Sequence, residues 1–315
     1  MRIVFLGTPD SAVPTLEALL SAGHHVSLVV TQPDRPAGRS ASPRPPAVKS
    51  AALREGLRAI QPVKVRVPEF REALEAERPD ALVVVAYGRI LPEAVLAAAP
   101  LGAVNVHFSL LPRHRGAAPV QRAIAGGDDV TGVTTMLMNA RMDEGDLLLQ
   151  REVPVEPGEH APSLTARLAS VGAGLLIETL SGLGRGAIDP RPQDPALATY
   201  APPLAPADGN ADPSSPARTI ERLVRGFDPW PGVWLRHAGK RIRIADARAI
   251  DGVSDAGPAG TLIGLESGEL GMACGGGTLL AIRELQPEGR RVMSARDALN
   301  GRHLAPGDRL ERIPR

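Results

Sequence analysis

The first half of the chain alternates between two patterns of apolar and polar positions. Short apolar runs predict strands, and apolar residues at helical spacing between those runs predict helices. The run ALVVVA at residues 81–86 is nearly continuous, which is typical of a strand buried on both faces of a parallel sheet. The predicted strands are Ile3–Leu6, Val26–Val30, Ala81–Ala86, Val104–Val106 and Val133–Met138. The predicted helices are Val13–Ser21, Glu93–Ala99 and Ala118–Ala125.

This alternation of strands and helices predicts an α/β fold with a doubly wound, mostly parallel, Rossmann-like sheet. Binding sites in such sheets lie at the carboxyl ends of the strands. The residues that follow each strand are therefore the first place to look for chemistry.

The second half of the chain has a different composition. Residues 201–216 are rich in proline and poor in apolar residues, so we expect a linker there. A predicted helix over Ala217–Gly226 is followed by short strands between glycines, at a spacing typical of a small β-barrel or sandwich. These strands are Val233–Arg236, Ile242–Ala245, Thr261–Gly264 and Thr278–Ile282. The predicted domains are residues 1–200, which would carry the chemistry, and residues 217–315.

Composition narrows the class of protein. A chain of 315 residues with 43% hydrophobic residues can bury the cores of two domains. Its net charge of +1 makes it no polycation, so any contact with a polyanion must come from local arrangement. The single cysteine, Cys274, cannot form a disulfide within the chain, which fits a reducing, cytoplasmic location. The N-terminal apolar run predicts a strand rather than a signal peptide or membrane helix, so we expect no membrane contact.

Two polar side chains lie at the end of the strand predicted around Val104–Val106. Asn105 and His107 would point to the same face of that strand, because side chains alternate with a period of two. An amide and an imidazole side by side can stabilise a developing oxyanion. Two solvated polar residues at a strand edge would give the same pattern, so the spacing leaves both interpretations open.

Acidic residues cluster between Arg141 and Asp146. The spacing of their carboxylates does not fit a calcium loop, and no second histidine or cysteine nearby completes a zinc site, so we expect no metal. A single catalytic carboxylate that orients His107 and takes a proton is the more economical interpretation.

Motifs along the whole chain resemble those of one enzyme family. They are FLGTP at residues 5–9, TQPDRPAGR at 31–39, AYGRILP at 86–92, the blocks at 105–119 and 131–146, FDPWP at 227–231 and PGDRL at 306–310. Together they resemble the methionyl-tRNA formyltransferases. The NVHFSLLP block at 105–112 is shared by all folate-dependent formyltransferases, whereas TQPDRPAGR combined with a second domain is specific to the tRNA enzymes.

The resemblance implies a reaction and the residues that perform it. The formyl donor would be 10-formyltetrahydrofolate, and the acceptor would be the α-amine of methionine on initiator tRNA. The positions that match the family's catalytic residues are Asn105, His107 and Asp143. The positions expected to contact folate are Ser109, Leu110, Leu111, Pro112, Arg89, Ile90 and Leu91. The family also implies a monomer and an OB-like C-terminal barrel, a fold that commonly binds nucleic acid.

The loop that should reach the tRNA departs from the family's pattern. Relatives carry glycine and lysine there, but residues 40–46 read SASPRPP in this chain. This leaves Arg39, Arg44 and Lys49 as the cations of the loop. Together with Arg309 in the PGDRL motif, they are the predicted tRNA contacts.

Two other functions stay open at this point. A formyltransferase for a small amine, such as an amino-sugar nucleotide, would share the NVHFSLLP block but would need neither the RNA-recognising loop nor the barrel. A non-catalytic RNA-binding relative would keep the fold, although an intact set of Asn105, His107 and Asp143 argues against it.

Overall fold

The computed structural model describes residues 1–37, 40–252 and 257–314. Contacts group the chain into two compact units, each assembled from three segments. Unit 1 comprises Met1–Pro119, Val130–Pro154 and Leu164–Pro202. Unit 2 comprises Val120–Asp129, Val155–Ser163 and Pro203–Arg315. The domain limits expected from the sequence, 1–200 and 217–315 with a linker at 201–216, stay a prediction.

Unit 1 contains a seven-stranded sheet and a separate two-stranded hairpin. Its strands are β1 (Arg2–Gly7), β2 (His25–Val30), β3 (Arg35–Ala37), β4 (Ser40–Arg44), β5 (Ala59–Ile60), β6 (Ala81–Val85), β7 (Ala103–His107), β8 (Val130–Leu137) and β9 (Leu147–Pro154). The order in the large sheet is β5-β2-β1-β6-β7-β8-β9, and β3 pairs only with β4. The first five strands of that order are parallel, β8 runs antiparallel to β7, and β9 runs antiparallel to β8. This confirms the predicted mostly parallel sheet.

The helices up to residue 184 alternate with these strands. They are α1 (Val13–Ser21), α2 (Ala47–Arg54), α3 (Pro68–Glu75), α4 (Glu93–Leu96), α5 (Pro119–Gly126) and α6 (Ala161–Gly184). Proline occupies the first turn of α1 and of α3. Backbone N–H groups there have no acceptor within the helix, so the missing N–H of proline costs no hydrogen bond. The predicted first helix has the observed bounds, and the helix predicted from Glu93 ends earlier, at Leu96.

The core of unit 1 forms on both faces of the sheet. All five residues of β6 are buried, as its continuous apolar run predicts. On one face, side chains such as Val4 and Leu82 pack against Phe70 and Leu74 of α3. Burying each such side chain contributes about 1.5–3 kcal/mol. The strands that carry the site are therefore held rigidly from both sides.

Helix α6 is the longest helix and was not predicted. By length and apolar composition it could cross a membrane, but half of its most apolar window is buried within the structure. Gly172 lies close to Val106 and Val133, and the hydroxyl of Thr179 is 2.8 Å from that of Thr135 in β8. These contacts are those of a helix packed on a sheet.

Unit 2 is built around a six-stranded antiparallel sheet. Its further elements are α7 (Ala217–Gly226), β10 (Val233–His237), β11 (Lys240–Ile250), β12 (Leu262–Gly264), β13 (Leu270–Cys274), β14 (Thr278–Pro287), β15 (Met293–Ser294) and α8 (Ala295–Asn300). The order is β10-β11-β14-β13-β12, with β15 paired to β14. The predicted helix has the observed bounds, and all four predicted strands are present. Three of them extend beyond the predicted ends, whereas β12 begins one residue later, at Leu262.

The sheet of unit 2 closes on itself through the C-terminal residues. Glu311 forms a bridge with Arg236 of β10, at one edge of the sheet, and Arg309 forms a bridge with Thr261, next to β12 at the other edge. Leu310, between them, is fully buried in a core that includes Ile220 of α7. Because both edge strands gain a partner, no long edge is left unpaired there. The predicted small barrel is confirmed.

Candidate active site

Asn105 and His107 lie at the carboxyl end of β7, on the same side of the strand. Both side chains are 7% exposed. β7 pairs with β6 on one side and β8 on the other, so Asn105 faces Val84 in one neighbour and Met136 in the other. The interpretation as two solvated residues at a strand edge is therefore wrong. Buried polar groups at this depth need hydrogen-bonding partners, from the protein or from a ligand.

The Nε2 edge of the His107 imidazole is held by residues that follow His107 in the chain. Its Nε2 lies 3.0 Å from the carbonyl oxygen of His114. A carbonyl only accepts, so Nε2 carries the proton of this hydrogen bond. The other ring nitrogen, Nδ1, is then the one left to act on a substrate.

Asp143 comes from the loop after β8 and meets His107 from another direction. Its Oδ2 is 3.8 Å from Nδ1 of His107 and accepts a hydrogen bond of 2.8 Å from the backbone N–H of Gly116. The backbone of Asp143 is left-handed, with φ of 53°. Aspartate tolerates this conformation better than most residues. The carboxylate is thus held beside the imidazole by two separate parts of the chain.

Gly116 fits its position because it has no side chain. Its φ is 121°, and a Cβ there would lie 2.6 Å from the carbonyl oxygen of Ala201. Glycine alone therefore lets the N–H of residue 116 approach Asp143.

A cavity of about 430 Å³ opens in front of these residues, within unit 1. The volume lies in the range typical of sites for small ligands. Its polar lining includes Arg89, Asn105, His107, Asn139, Arg141 and Asp143, and its apolar lining includes Val84, Ile90, Leu91, Phe108, Met138 and Met142. All three predicted catalytic residues therefore face one space. Apolar walls with a few directed polar groups suit a flat heterocycle.

The residues predicted to contact folate fall into two groups. Arg89, Ile90 and Leu91 line the cavity. The Nε of Arg89 donates to Gln32 at 3.1 Å, and Ile90 is 48% exposed. Arg89 is thus oriented by the protein, and Ile90 presents an apolar surface at the mouth.

The stretch Ser109–Pro112 lies behind the cavity rather than in its lining. Ser109 is fully buried, and its hydroxyl donates to the carbonyl of Arg113 at 2.6 Å. The backbone N–H of Leu111 donates to the hydroxyl of Thr134 at 3.1 Å, and that hydroxyl donates to the carbonyl of Ser109 at 2.7 Å. These bonds fix the turn that carries the chain from His107 to His114. Direct contact of this stretch with folate stays a prediction.

Tyr87 is a polar residue of this region that sequence reasoning did not single out. It is 2% exposed, and its hydroxyl has no hydrogen-bond partner among the described residues. Burial raises the pKa of Tyr87 to about 12, although the nearby Arg89 opposes this shift. The phenol is therefore neutral across the physiological pH range.

The predicted tRNA contacts lie in different surroundings. Arg39 is outside the described residues, and both Arg44 and Arg309 are exposed. The ammonium of Lys49 lies 2.8 Å from Asp34 and 2.6 Å from Gln61. The hydrogen bond from Lys49 is the main reason that the pKa of Asp34 is lowered. Lys49 thus already has an anionic partner within the protein.

Sequence reasoning missed Gln193, which together with Arg115 holds the loop of Asp143. Arg115 is 4% exposed, and both its Nε and one terminal nitrogen donate to Oε1 of Gln193. Gln193 lies in a proline-rich stretch without periodicity, so no pattern in the sequence marks it. A buried arginine is rare without a partner, but burial is not visible in the sequence.

Within residues 1–37, 40–252 and 257–314, no group of three or more histidine, cysteine, aspartate or glutamate side chains could hold a metal ion. The metal-free reaction stays a prediction.

Models of two protein families match the chain. Residues 1–180 match the formyl transferase family, and residues 203–303 match the formyl transferase C-terminal domain. The chain is 48% identical over 311 residues to a methionyl-tRNA formyltransferase from Acidobacterium capsulatum, covering 98% of this chain and 99% of that protein. It is 45% identical to a methionyl-tRNA formyltransferase from Moorella thermoacetica, with the same coverage of both chains.

Two solved structures share the fold at lower identity. HypX from Aquifex aeolicus, in complex with tetrahydrofolic acid, has a TM-score of 0.65 and 19% identity, covering 95% of this chain and 47% of that one. An N-formyltransferase from Helicobacter canadensis, in complex with folinic acid and dTDP-3-aminofucose, has a TM-score of 0.68 and 15% identity, covering 91% and 99%. The family models, the full-length relatives and the shared fold agree, and this chain belongs to the formyl transferase family.

Proposed function

We propose that the protein transfers the formyl group of 10-formyltetrahydrofolate to the α-amine of methionyl-tRNA, with the initiator tRNA as its acceptor. The observation that carries the proposal is the convergence of Asn105, His107 and Asp143 on one cavity. The relatives that match nearly the whole chain are methionyl-tRNA formyltransferases, which favours this acceptor over a small amine.

Asn105 and His107 would stabilise charge on the formyl oxygen. When an amine attacks the formyl carbon, that oxygen gains negative charge and needs hydrogen-bond donors. The amide of Asn105 is a donor at any pH. His107 has its Nε2 engaged with His114, so it would donate through Nδ1 in the protonated form of the ring. The carboxylate of Asp143 lies 3.8 Å from Nδ1.

Asp143 would also help to remove the proton that the attacking amine must lose. Its carboxylate faces the cavity and is 15% exposed, so it can accept a proton directly or through one water. Proton transfer by a positioned group contributes about 10²–10⁴-fold to a rate. No covalent bond between the substrate and the protein is needed.

The cavity fits the pterin part of the proposed donor. Arg89, Ile90 and Leu91 would line the ring, and the turn at Ser109–Pro112 would support the wall and contribute folate contacts. When bound, the folate supplies the activated formyl group. The side chains around it orient that group towards Asn105 and exclude water, and such orientation supplies a large share of catalysis in two-substrate reactions.

Contacts with tRNA would come from exposed cations, some on unit 1 and some on unit 2. Arg44 lies on the β3–β4 hairpin, and Arg309 lies among the C-terminal residues that form bridges with the sheet of unit 2. We include Arg39 and Lys49 in the proposed set, although Lys49 already contacts Asp34. We also propose that the protein acts as a monomer in the cytoplasm.

The deciding experiment is formyl transfer from 10-formyltetrahydrofolate by the purified protein. Methionine-charged initiator tRNA is the test acceptor, with charged elongator tRNA, uncharged tRNA and an amino-sugar nucleotide as comparisons. We expect rapid formylation of the charged initiator only. Transfer to the amino sugar alone would replace the proposed acceptor, and folded protein without transfer to any acceptor would favour a non-catalytic role.

A further inference from the structure

A segment near the end of unit 1 runs beside both loops of the candidate site. Arg191 and Leu147 exchange two backbone hydrogen bonds, of 2.8 and 2.9 Å. Further along, Arg115 donates to Thr199 at 2.8 Å and accepts from Ala201 at 2.7 Å. Residues 191–201 therefore contact the chain just after the Asp143 loop and the chain just after His114.

Gln193 lies between these two attachments and uses both ends of its amide. Its Nε2 donates to the backbone carbonyls of Asp143 and Gly145, at 2.9 and 2.8 Å. Its Oε1 accepts from the Nε and a terminal nitrogen of Arg115, at 3.0 and 2.8 Å. Both donor hydrogens of the amide are used, and hydrogen bonds to a charged donor are stronger than neutral ones.

Arg115 completes the bridge to the acidic loop. Its other terminal nitrogen lies 3.5 Å from the carboxylate of Glu144. Its side chain is 5% exposed, so its charge is poorly solvated and depends on Gln193 and Glu144. We call the three side chains of Gln193, Arg115 and Glu144 the loop clamp.

The loop clamp holds a conformation that the Asp143 loop would not adopt alone. Asp143 has a left-handed backbone, and Gly145 packs so closely on the carbonyl of Leu137 that no side chain fits. A non-glycine residue keeps this left-handed conformation only where the surrounding structure imposes it. Two of the carbonyls involved, those of Asp143 and Gly145, point at Gln193.

We infer that Gln193 is a positioning residue, which sets the distance between Asp143 and His107 by fixing the backbone of the Asp143 loop. This inference rests on the proposed function, because it gives Gln193 a role in formyl transfer. Without the two bonds from Nε2, the carboxylate of Asp143 would no longer be held at Gly116 and beside the imidazole. A displacement of about 1 Å in such a group can lower a rate by about 10²-fold.

Two variants test the role of the Gln193 amide. Gln193→Glu keeps the shape and a partner for Arg115 but replaces the donor with an oxygen that faces two carbonyls. Gln193→Met removes the polar end without adding charge. Any effect shared by both variants is due to the lost hydrogen bonds rather than to a new charge.

Gln286→Glu is the matched control. In unit 2, Nε2 of Gln286 donates to the carbonyl of Arg290 at 2.8 Å, so the same substitution breaks the same kind of bond away from the site.

The measurements are kcat, KM for each substrate, the thermal midpoint and local hydrogen–deuterium exchange. We expect kcat of both variants to fall about 10²-fold while KM changes less than about threefold. Exchange should accelerate in peptides covering residues 139–147 and at Gly116, with exchange elsewhere close to wild type. Gln193→Glu keeps an acceptor for Arg115, so its thermal midpoint should stay close to wild type, whereas Gln193→Met leaves this buried cation with Glu144 alone and should lower the midpoint. Gln286→Glu should match wild type in all four.

Four outcomes would count against the inference or against the proposed function. A kcat within about threefold of wild type in both variants removes the positioning role. Faster exchange throughout unit 1 with a lowered thermal midpoint in Gln193→Glu assigns Gln193 a structural role only, which also overturns it. If wild-type protein transfers no formyl group, the proposed function fails. Exchange at residues 139–147 that is the same in the Gln193 variants as in wild type would by itself refute the loop clamp.

Discussion

The carboxylate Oδ2 of Asp143 lies 3.8 Å from Nδ1 of His107, while Nε2 of the same ring is held 3.0 Å from the carbonyl of His114. The two nitrogens of the imidazole are thus assigned different tasks by the fold. Nε2 anchors the ring, and Nδ1 faces the carboxylate.

Asp143→Asn should nearly abolish formyl transfer without loss of folding. Asparagine also tolerates the left-handed backbone, and its side-chain oxygen can still accept from Gly116. It cannot take a proton from the attacking amine, so kcat should fall about 10²–10⁴-fold. Steady-state kinetics would measure this, with the exposed neighbour Asp146→Asn as control. Substantial turnover by Asp143→Asn would remove the carboxylate from proton transfer.

Asn105→Ala and His107→Ala should each lower turnover far more than substrate affinity. Each removes one hydrogen-bond donor to the developing oxyanion, and such a loss costs about 2.7–4 kcal/mol, or about 10²–10³-fold in kcat. Separate measurement of kcat and KM shows the effect. Asn300→Ala, at an exposed asparagine that ends α8, serves as control. A variant whose KM alone rises would have lost a binding contact rather than a transition-state contact.

Gly145→Ala should destabilise the protein and misplace the Asp143 loop. A Cβ at this position would overlap the carbonyl oxygen of Leu137, so the backbone must shift, at a cost of about 1–3 kcal/mol. Urea unfolding measures the change. Gly174→Ala is the matched control, because Gly174 is exposed in α6 with open space around it. The free energy of unfolding of that control should rise by about 0.5–1 kcal/mol, because alanine is more favourable than glycine in a helix interior. Equal stability of the two variants would contradict the packing at Gly145.

Tyr87→Phe should leave stability unchanged or raise it. The hydroxyl is buried without a partner among the described residues, so its removal ends an uncompensated desolvation of about 1–3 kcal/mol. The stability difference between Tyr87→Phe and wild type should grow at high pH. The unfolded phenol ionises near its ordinary pKa of 10.0, whereas folding raises that pKa to about 12. The wild type therefore loses stability as pH rises above 10, and the variant does not lose this part. Unfolding measured at pH 7 and above pH 10 tests both statements, and a destabilised variant would mean that the hydroxyl has a partner.

Arg44 and Lys49 should differ in how they affect the salt dependence of tRNA binding. Arg44 is exposed, so Arg44→Ala should lower the slope of log affinity against log salt by about 1 if it neutralises a phosphate. Lys49 is paired with Asp34, so Lys49→Met should change the slope less. Binding titrations over a range of salt concentrations distinguish the two. An equal loss of slope would show that Lys49 leaves Asp34 for the tRNA.

The sequence determined the elements whose signal is local. The continuous apolar run of β6 and the helical spacing of α1 and α7 appear in the structure with nearly the predicted bounds. The elements that were not predicted are the helices α2, α3, α6 and α8 and the strands β3, β4, β5, β9, β13 and β15. Glycines in α6 and β13 weaken the propensity for either structure, and β9 exposes the middle of its length as an edge strand. Their structure is set by the sheet and helices on which they pack.

For the site, the sequence by itself placed Asn105 and His107 on one face of a strand, because alternation along a strand is a local property. The resemblance to the family added Asp143, which lies 36 positions after His107. No local pattern in the sequence predicts the distance between these two side chains. Only the tertiary structure decided which nitrogen of His107 faces Asp143, that Lys49 is paired, and that Gln193 holds the Asp143 loop. These are contacts between segments that are far apart in the sequence. They form because packing of the sheet brings those segments close together in space.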